Sequence, residues 1–165
     1  MQNYTLKEMA ARIDHVDGYQ GSAKAPFFNQ LRNLQFKGVI KPLTVEKRNP
    51  SMLAKDSVLF NQVGFAKARI FIKLVQLGIE SNILNTIALL IDDEALASVL
   101  AEPNRKAFLN LALACDTSNG DTNIFGQIAS KENDFGGVHI GNRVIQLTIG
   151  LPLHTLFKGL FELRF

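Results

Sequence analysis

The chain has 165 residues, 47 % of them hydrophobic and 20 % charged, a composition that supports an ordinary core and excludes a disordered polymer. Its net charge of +3 hides a division, because residues 1–78 hold 12 Lys and Arg against 5 Asp and Glu, whereas residues 79–165 hold 6 against 10. The single cysteine, Cys115, excludes an internal disulfide and a multi-cysteine zinc centre, and no apolar stretch approaches the ~20 residues that cross a bilayer.

In chain order, Thr5 with Glu8 three residues later forms a capping-box pattern, and Leu6, Met9, Ala10 and Ile13 recur on one helical face. A first amphipathic helix is therefore expected, broken by the Gly-containing segment 14–21. A second helix comes next, with Ser22 as a cap and Pro26 tolerated in its first turn. Phe27, Phe28, Leu31 and Leu34 supply its apolar positions, and Gly38 is placed to end it in a left-handed conformation. Two short hydrophobic pieces, residues 39–43 and 58–60, flank a basic loop at 44–57, which reads as a β-wing. Phe65 to Leu77 is a third helix, stopped at Gly78.

Beyond it, Ser81 opens another helix, and Asp92 or Asp93 caps the next, where the Asp92-Asp93-Glu94 triplet complements the helix dipole. Pro103 suggests a further helix running to about Cys115, with the thiol as a small buried residue. Residues 116–137 read as a loop with one short strand near Ile124–Ile128. Gly141-Asn142 between Val138–Ile140 and Val144–Ile149 signals a hairpin. Pro152 then starts a last helix whose stripe, Leu153, Leu156, Phe157, Leu160 and Phe161, is a candidate core or dimer surface.

The expected fold is mainly α with small β: an N-terminal winged helix–turn–helix over 1–78, a helical connector over 79–115 and a small α+β segment with a β-hairpin over 116–165. The run Gln30-Leu31-Arg32-Asn33-Leu34-Gln35-Phe36-Lys37-Gly38-Val39-Ile40-Lys41-Pro42-Leu43 resembles the MerR family. There a Thr-Leu-Arg-Tyr-Tyr-Glu-type helix leads into Gly-Leu-Leu-x-Pro, so Leu31, Arg32, Gly38, Ile40 and Pro42 match in kind and spacing. Residues 68–79, ending in Leu77-Gly78-Ile79, are similar to the family's helix after the wing. The resemblance spans about residues 4–91. It departs in the long segment 14–21, in Asn33-Leu34 where an aromatic pair is usual, in the wing sequence, and in the absence of a long coiled coil and of sensor cysteines. It therefore implies DNA binding without the family's metal or drug response.

By the same resemblance Arg32 is the DNA-contacting arginine, and a guanidinium on such a helix can clamp phosphate or read guanine. Asn29, Gln30 and Asn33 offer amides to adenine edges. Ser22, Lys24 and Lys37 on the same helix, with Lys47, Arg48 and Lys55 on the wing, complete the expected DNA-binding set. Catalysis finds no support, since His15, His139 and His154 are scattered and no nucleophile–base spacing occurs. No cofactor or metal is expected. The reading is a cytoplasmic bacterial or phage transcriptional regulator of double-stranded DNA, nucleoid-associated, homodimeric and without a signal peptide or membrane partner. The alternatives are an excisionase-like DNA-bending protein of a mobile element and an adaptor whose core binds protein.

Overall fold

The computed structural model of the chain describes residues 2–18, 26–43, 58–135 and 143–161. Six helices and five strands are defined among them, and the chain divides into two compact units, Met1–Leu84 with Gly159–Phe165, and Asn85–Lys158.

The first unit opens with strand β1 (Tyr4–Thr5), whose last residue caps α1 (Leu6–Val16). The capping box is present: Thr5 Oγ1 accepts from the Glu8 N–H at 3.2 Å, and Glu8 Oε2 accepts from the Thr5 N–H at 2.7 Å. Met9, Ala10 and Ile13 are buried, as the periodicity predicts. Helix α2 (Pro26–Phe36) buries Phe27, Leu31 and Leu34. It ends at the expected glycine, with Gly38 at φ 72°, the Gly38 N–H bonded to Gln35 O and the Val39 N–H to Leu34 O, both at 2.9 Å. A side chain at Gly38 would be strained in that left-handed conformation.

Strand β2 (Leu59–Phe60) pairs antiparallel with β1, Tyr4 opposite Phe60. Asn61 then caps α3 (Gln62–Gln76), accepting from the Gly64 N–H at 2.7 Å. Phe65, Ala66, Ala68, Ile70, Phe71, Ile72 and Leu74 are all buried, so α3 is the central helix of this unit. Tyr4, Phe65 and Phe161 form an aromatic cluster with ring centroids 4.9–6.2 Å apart, which brings the last described residue beside the first strand.

Two basic residues of this unit are inside it. The Arg12 guanidinium lies 5.1 Å from the Tyr4 ring centroid and donates to the Leu160 carbonyl at 3.2 Å. Arg69 makes a two-pronged ion pair with Asp17, one bond of which is 2.8 Å. On α1, Asp14 Oδ1 is buried without a hydrogen-bond partner. Burial, and secondarily the Asp17 carboxylate, push the Asp14 pKa above its ordinary value. An acid whose folded pKa is raised opposes folding once pH exceeds that of its unfolded form. Asp14→Asn is therefore expected to raise the melting temperature at pH 7, with the gain disappearing as pH falls through the carboxylate range. Melting curves across that range that show no such convergence would remove Asp14 as the cause.

Helix α4 (Ser81–Leu90) contains the division between the units. In the second unit, Asp92 caps α5 (Asp93–Ala101) by accepting from the Glu94 N–H at 2.9 Å, which matches the reading of the acidic triplet. From Phe108 onward the structure departs from expectation. The run expected to continue as helix to Cys115 is strand β3 (Phe108–Asp116), the centre of a three-stranded antiparallel sheet. Its neighbours are β4 (Thr122–Ala129), longer than the short strand expected there, and β5 (Arg143–Pro152), with Leu111 opposite both Gly126 and Ile149. Gly126 packs closely here: a Cβ there would lie 2.8 Å from Leu111 Cδ2, which would have to shift, and 3.4 Å from Leu90 Cβ.

Asn110, on β3, is fully buried and fully used. Its Nδ2 donates to Lys131 O at 2.8 Å and Asp134 O at 3.0 Å, and its Oδ1 accepts from the Asn133 N–H at 2.9 Å. Asn133 itself has φ 56°. The side chain thus fixes the turn beyond the end of β4.

The mainly-α expectation, with an N-terminal winged helix–turn–helix and a helical middle, is therefore corrected to six helices with two small antiparallel sheets among the described residues. Residues 19–25 and 44–57, which would supply the turn and the wing, lie outside the described residues, as does the hairpin turn at Gly141-Asn142. The terminal helix is also corrected. Helix α6 is one turn (Leu153–Leu156); Leu153, Phe157 and Leu160 of the expected stripe are buried, and Leu156 and Phe161 are half-buried.

Candidate nucleic-acid interface

The 3.6-residue period of α2 sorts its side chains into two faces. Phe27, Leu31 and Leu34 face inward, and Asn29, Arg32, Asn33, Phe36 and Lys37 are exposed in one row at i, i+3, i+4, i+7 and i+8. The helix carries no carboxylate, so this face offers only amides, cations and one aromatic ring. Lys41 is exposed just beyond the helix end. A polyanion meets no repulsive charge on α2 itself.

Phe36 is 92 % exposed, the most exposed large apolar side chain among the described residues. Burying a Phe side chain stabilises a protein by about 1.5–3 kcal/mol, and this one stays in water although the core lies on the other side of its own helix. The helix geometry imposes this: two turns separate Phe36 from Asn29, and both project away from the Leu31 side. Its neighbours at helical spacing, Arg32, Asn33 and Lys37, are polar.

Of the expected DNA-binding residues, Asn29, Arg32, Asn33 and Lys37 are brought together on this face. Gln30 is not among them: it is half-buried, and its Oε1 is buried with no hydrogen-bond partner. Ser22, Lys24, Lys47, Arg48 and Lys55 lie outside the described residues. The positions flanking 44–57 are joined, since the Leu43 N–H donates to Leu59 O at 2.8 Å. Sequence reasoning missed Phe36 as a surface residue. The signal was present, because Phe36 falls seven residues from Asn29 and off the Phe27–Leu31–Leu34 stripe.

Other chemistry is less developed. Among the described residues no group of three or more His, Cys, Asp or Glu side chains could hold a metal ion, and no helix is long and apolar enough to cross a membrane. His15 is exposed on α1, and His154 Nδ1 lies 3.3 Å from Ala107 O against the edge of Phe108. Cys115 is half-buried, against the expectation of a buried thiol, with Sγ 3.5 Å from Gly120 O. Asp116, in the same turn, is held below the ordinary carboxylate range by hydrogen bonds from the Ser118 hydroxyl and N–H. In the second unit an open cleft of about 350 Å³ is lined by Ser98, Arg105, Lys106 and Ser130 with small apolar residues. It holds no paired acid and base and no activated nucleophile. No protein-family model matches the chain, and no curated protein matches it.

Proposed function

We propose that the chain is a non-enzymatic, sequence-specific double-stranded DNA-binding transcriptional regulator that reads the major groove with α2. The exposed row Asn29, Arg32, Asn33, Phe36 and Lys37, on a helix without carboxylates, carries this reading. An α-helix fits the major groove, where arginine pairs with guanine and asparagine with adenine. The residues shared with the MerR family, Arg32 and Gly38 among them, support the same assignment, and the basic segment 44–57 would add backbone contacts. The proposed site of action is the nucleoid of a bacterial or phage-infected cell.

A single small module on DNA buries about 600–1,000 Å² and binds modestly, so the proposal includes a homodimer. On the outer strand β5, exposed Val144 and Leu147 share the sheet face of Cys115 and Leu113 and support it.

The test is a titration with duplexes selected by the purified chain from a random-sequence pool. Arg32→Ala is expected to weaken binding to the selected site by about 1–3 kcal/mol while leaving the circular dichroism unchanged. Sedimentation of the same complex should give two chains per site. Wild-type binding that is absent, or insensitive to salt, would instead favour a protein-binding adaptor.

A further inference from the structure

We infer that Phe36 is a specificity-determining residue that packs against the C5 methyl of a thymine in the major groove. This rests on the DNA-reading role proposed for α2 and adds a base preference to it. The ring is 92 % exposed and lies in the same row as Asn29, Arg32 and Asn33. Asn29 and Phe36 are seven residues apart, roughly 10 Å along the helix, which corresponds to about three base-pair steps. A helix that presents the amides and the guanidinium to base edges therefore presents the ring to bases of the same short site.

The choice of groove and of base rests on size and chemistry. The minor groove, about 6 Å wide, does not admit an α-helix, whereas the major groove at about 12 Å does. Donors and acceptors line the major-groove edges, and the one apolar group there is the thymine methyl. A phenyl ring has no hydrogen bond to offer, so a cytosine amino group or a guanine carbonyl facing it would lose water without gaining a partner. The ring thus favours thymine and disfavours the polar edges.

The experiment replaces each thymine of the selected duplex, one at a time, by deoxyuridine, which removes the methyl and keeps every hydrogen-bonding group. For the wild-type chain, one position, or a symmetry-related pair, is expected to lose about 3–10-fold in affinity. Phe36→Ala should bind the thymine duplex about 3–10-fold more weakly and show no further loss with uracil at that position, whereas Phe36→Leu should keep part of the response. Since the ring touches so little of its own chain, the variants fold as wild type, and circular dichroism checks this. Indifference of the wild type to every uracil overturns the inference and leaves DNA reading by α2 intact. So does a uracil response that Phe36→Ala retains. A Phe36→Ala change that alters only the sedimentation of the free protein would assign the ring to contact between copies and also overturn it. Failure of the wild type to bind any duplex removes the DNA-reading proposal itself.

Discussion

Asp17→Ala is expected to lower the unfolding free energy by about 3 kcal/mol, the lower end of the cost of removing one partner from a buried ion pair. The Arg69 side chain is 6 % exposed and that of Asp17 is 19 %. The Arg69 guanidinium donates from both Nη1 and Nη2 to Asp17, and its Nε is buried without a partner. Removing the carboxylate strands a cation beside the buried face of α3. The partial exposure of Asp17 lets water compensate in part, which is why the lower end applies. Replacing Arg69 by Met in the same background should restore most of the loss, because an apolar side chain of similar volume has no charge to desolvate. Urea unfolding of the two single variants and the double variant checks this. A loss below ~1 kcal/mol for Asp17→Ala would mean that the pair behaves as a surface contact.

Asn110→Ala is expected to cost about 1–3 kcal/mol, since Lys131 O and the Asn133 N–H lose their partner while Asp134 O keeps the Gln127 amide. The turn residues 131–134 are exposed, so solvent recovers some of these bonds and the cost stays below the sum of three fully buried losses. The backbone of Asn133 sits in the left-handed region, held there by the bond to Asn110. Faster hydrogen exchange at the Asn133 amide should therefore accompany the lower stability. Asn110→Ala with wild-type stability and an equally protected Asn133 amide would show that the turn is fixed by other contacts.

The features legible in the sequence are those that act over a few residues. The Thr5–Glu8 capping box, the Gly38 helix end and the Asp92 cap each join groups two to five positions apart, and each is present. The outward row of Asn29, Arg32, Asn33 and Lys37 was legible for the same reason, since helical spacing alone assigns it. Strand β3 was not legible. Leu109, Leu111, Ala112 and Ala114 are all buried, so the strand shows no alternation, and Leu and Ala favour helices locally. Only its pairing with distant segments decides the matter: Ala112 lies opposite Phe125 of β4, and Leu109 opposite Leu151 of β5. Single-segment patterns carry no trace of that pairing. The charge balance misled in a similar way. Arg12 and Arg69 count toward the basic first half, yet both are buried. Gln30, expected at the DNA-facing surface, is half-buried, and Phe36, to which no role was assigned, is exposed.

The first unit is discontinuous, because Gly159–Phe165 belongs to it while 85–158 do not. Its aromatic triad and the carbonyl that receives Arg12 include Phe161 and Leu160. When the first 84 residues emerge from a ribosome, the amino-terminal unit therefore still lacks its contacts with Leu160 and Phe161. At about 5–20 residues per second, it waits roughly 4–15 s for the chain to reach Phe161. A chain truncated anywhere in the second unit keeps α2 but lacks the contacts that Leu160 and Phe161 make with Arg12, Tyr4 and Phe65.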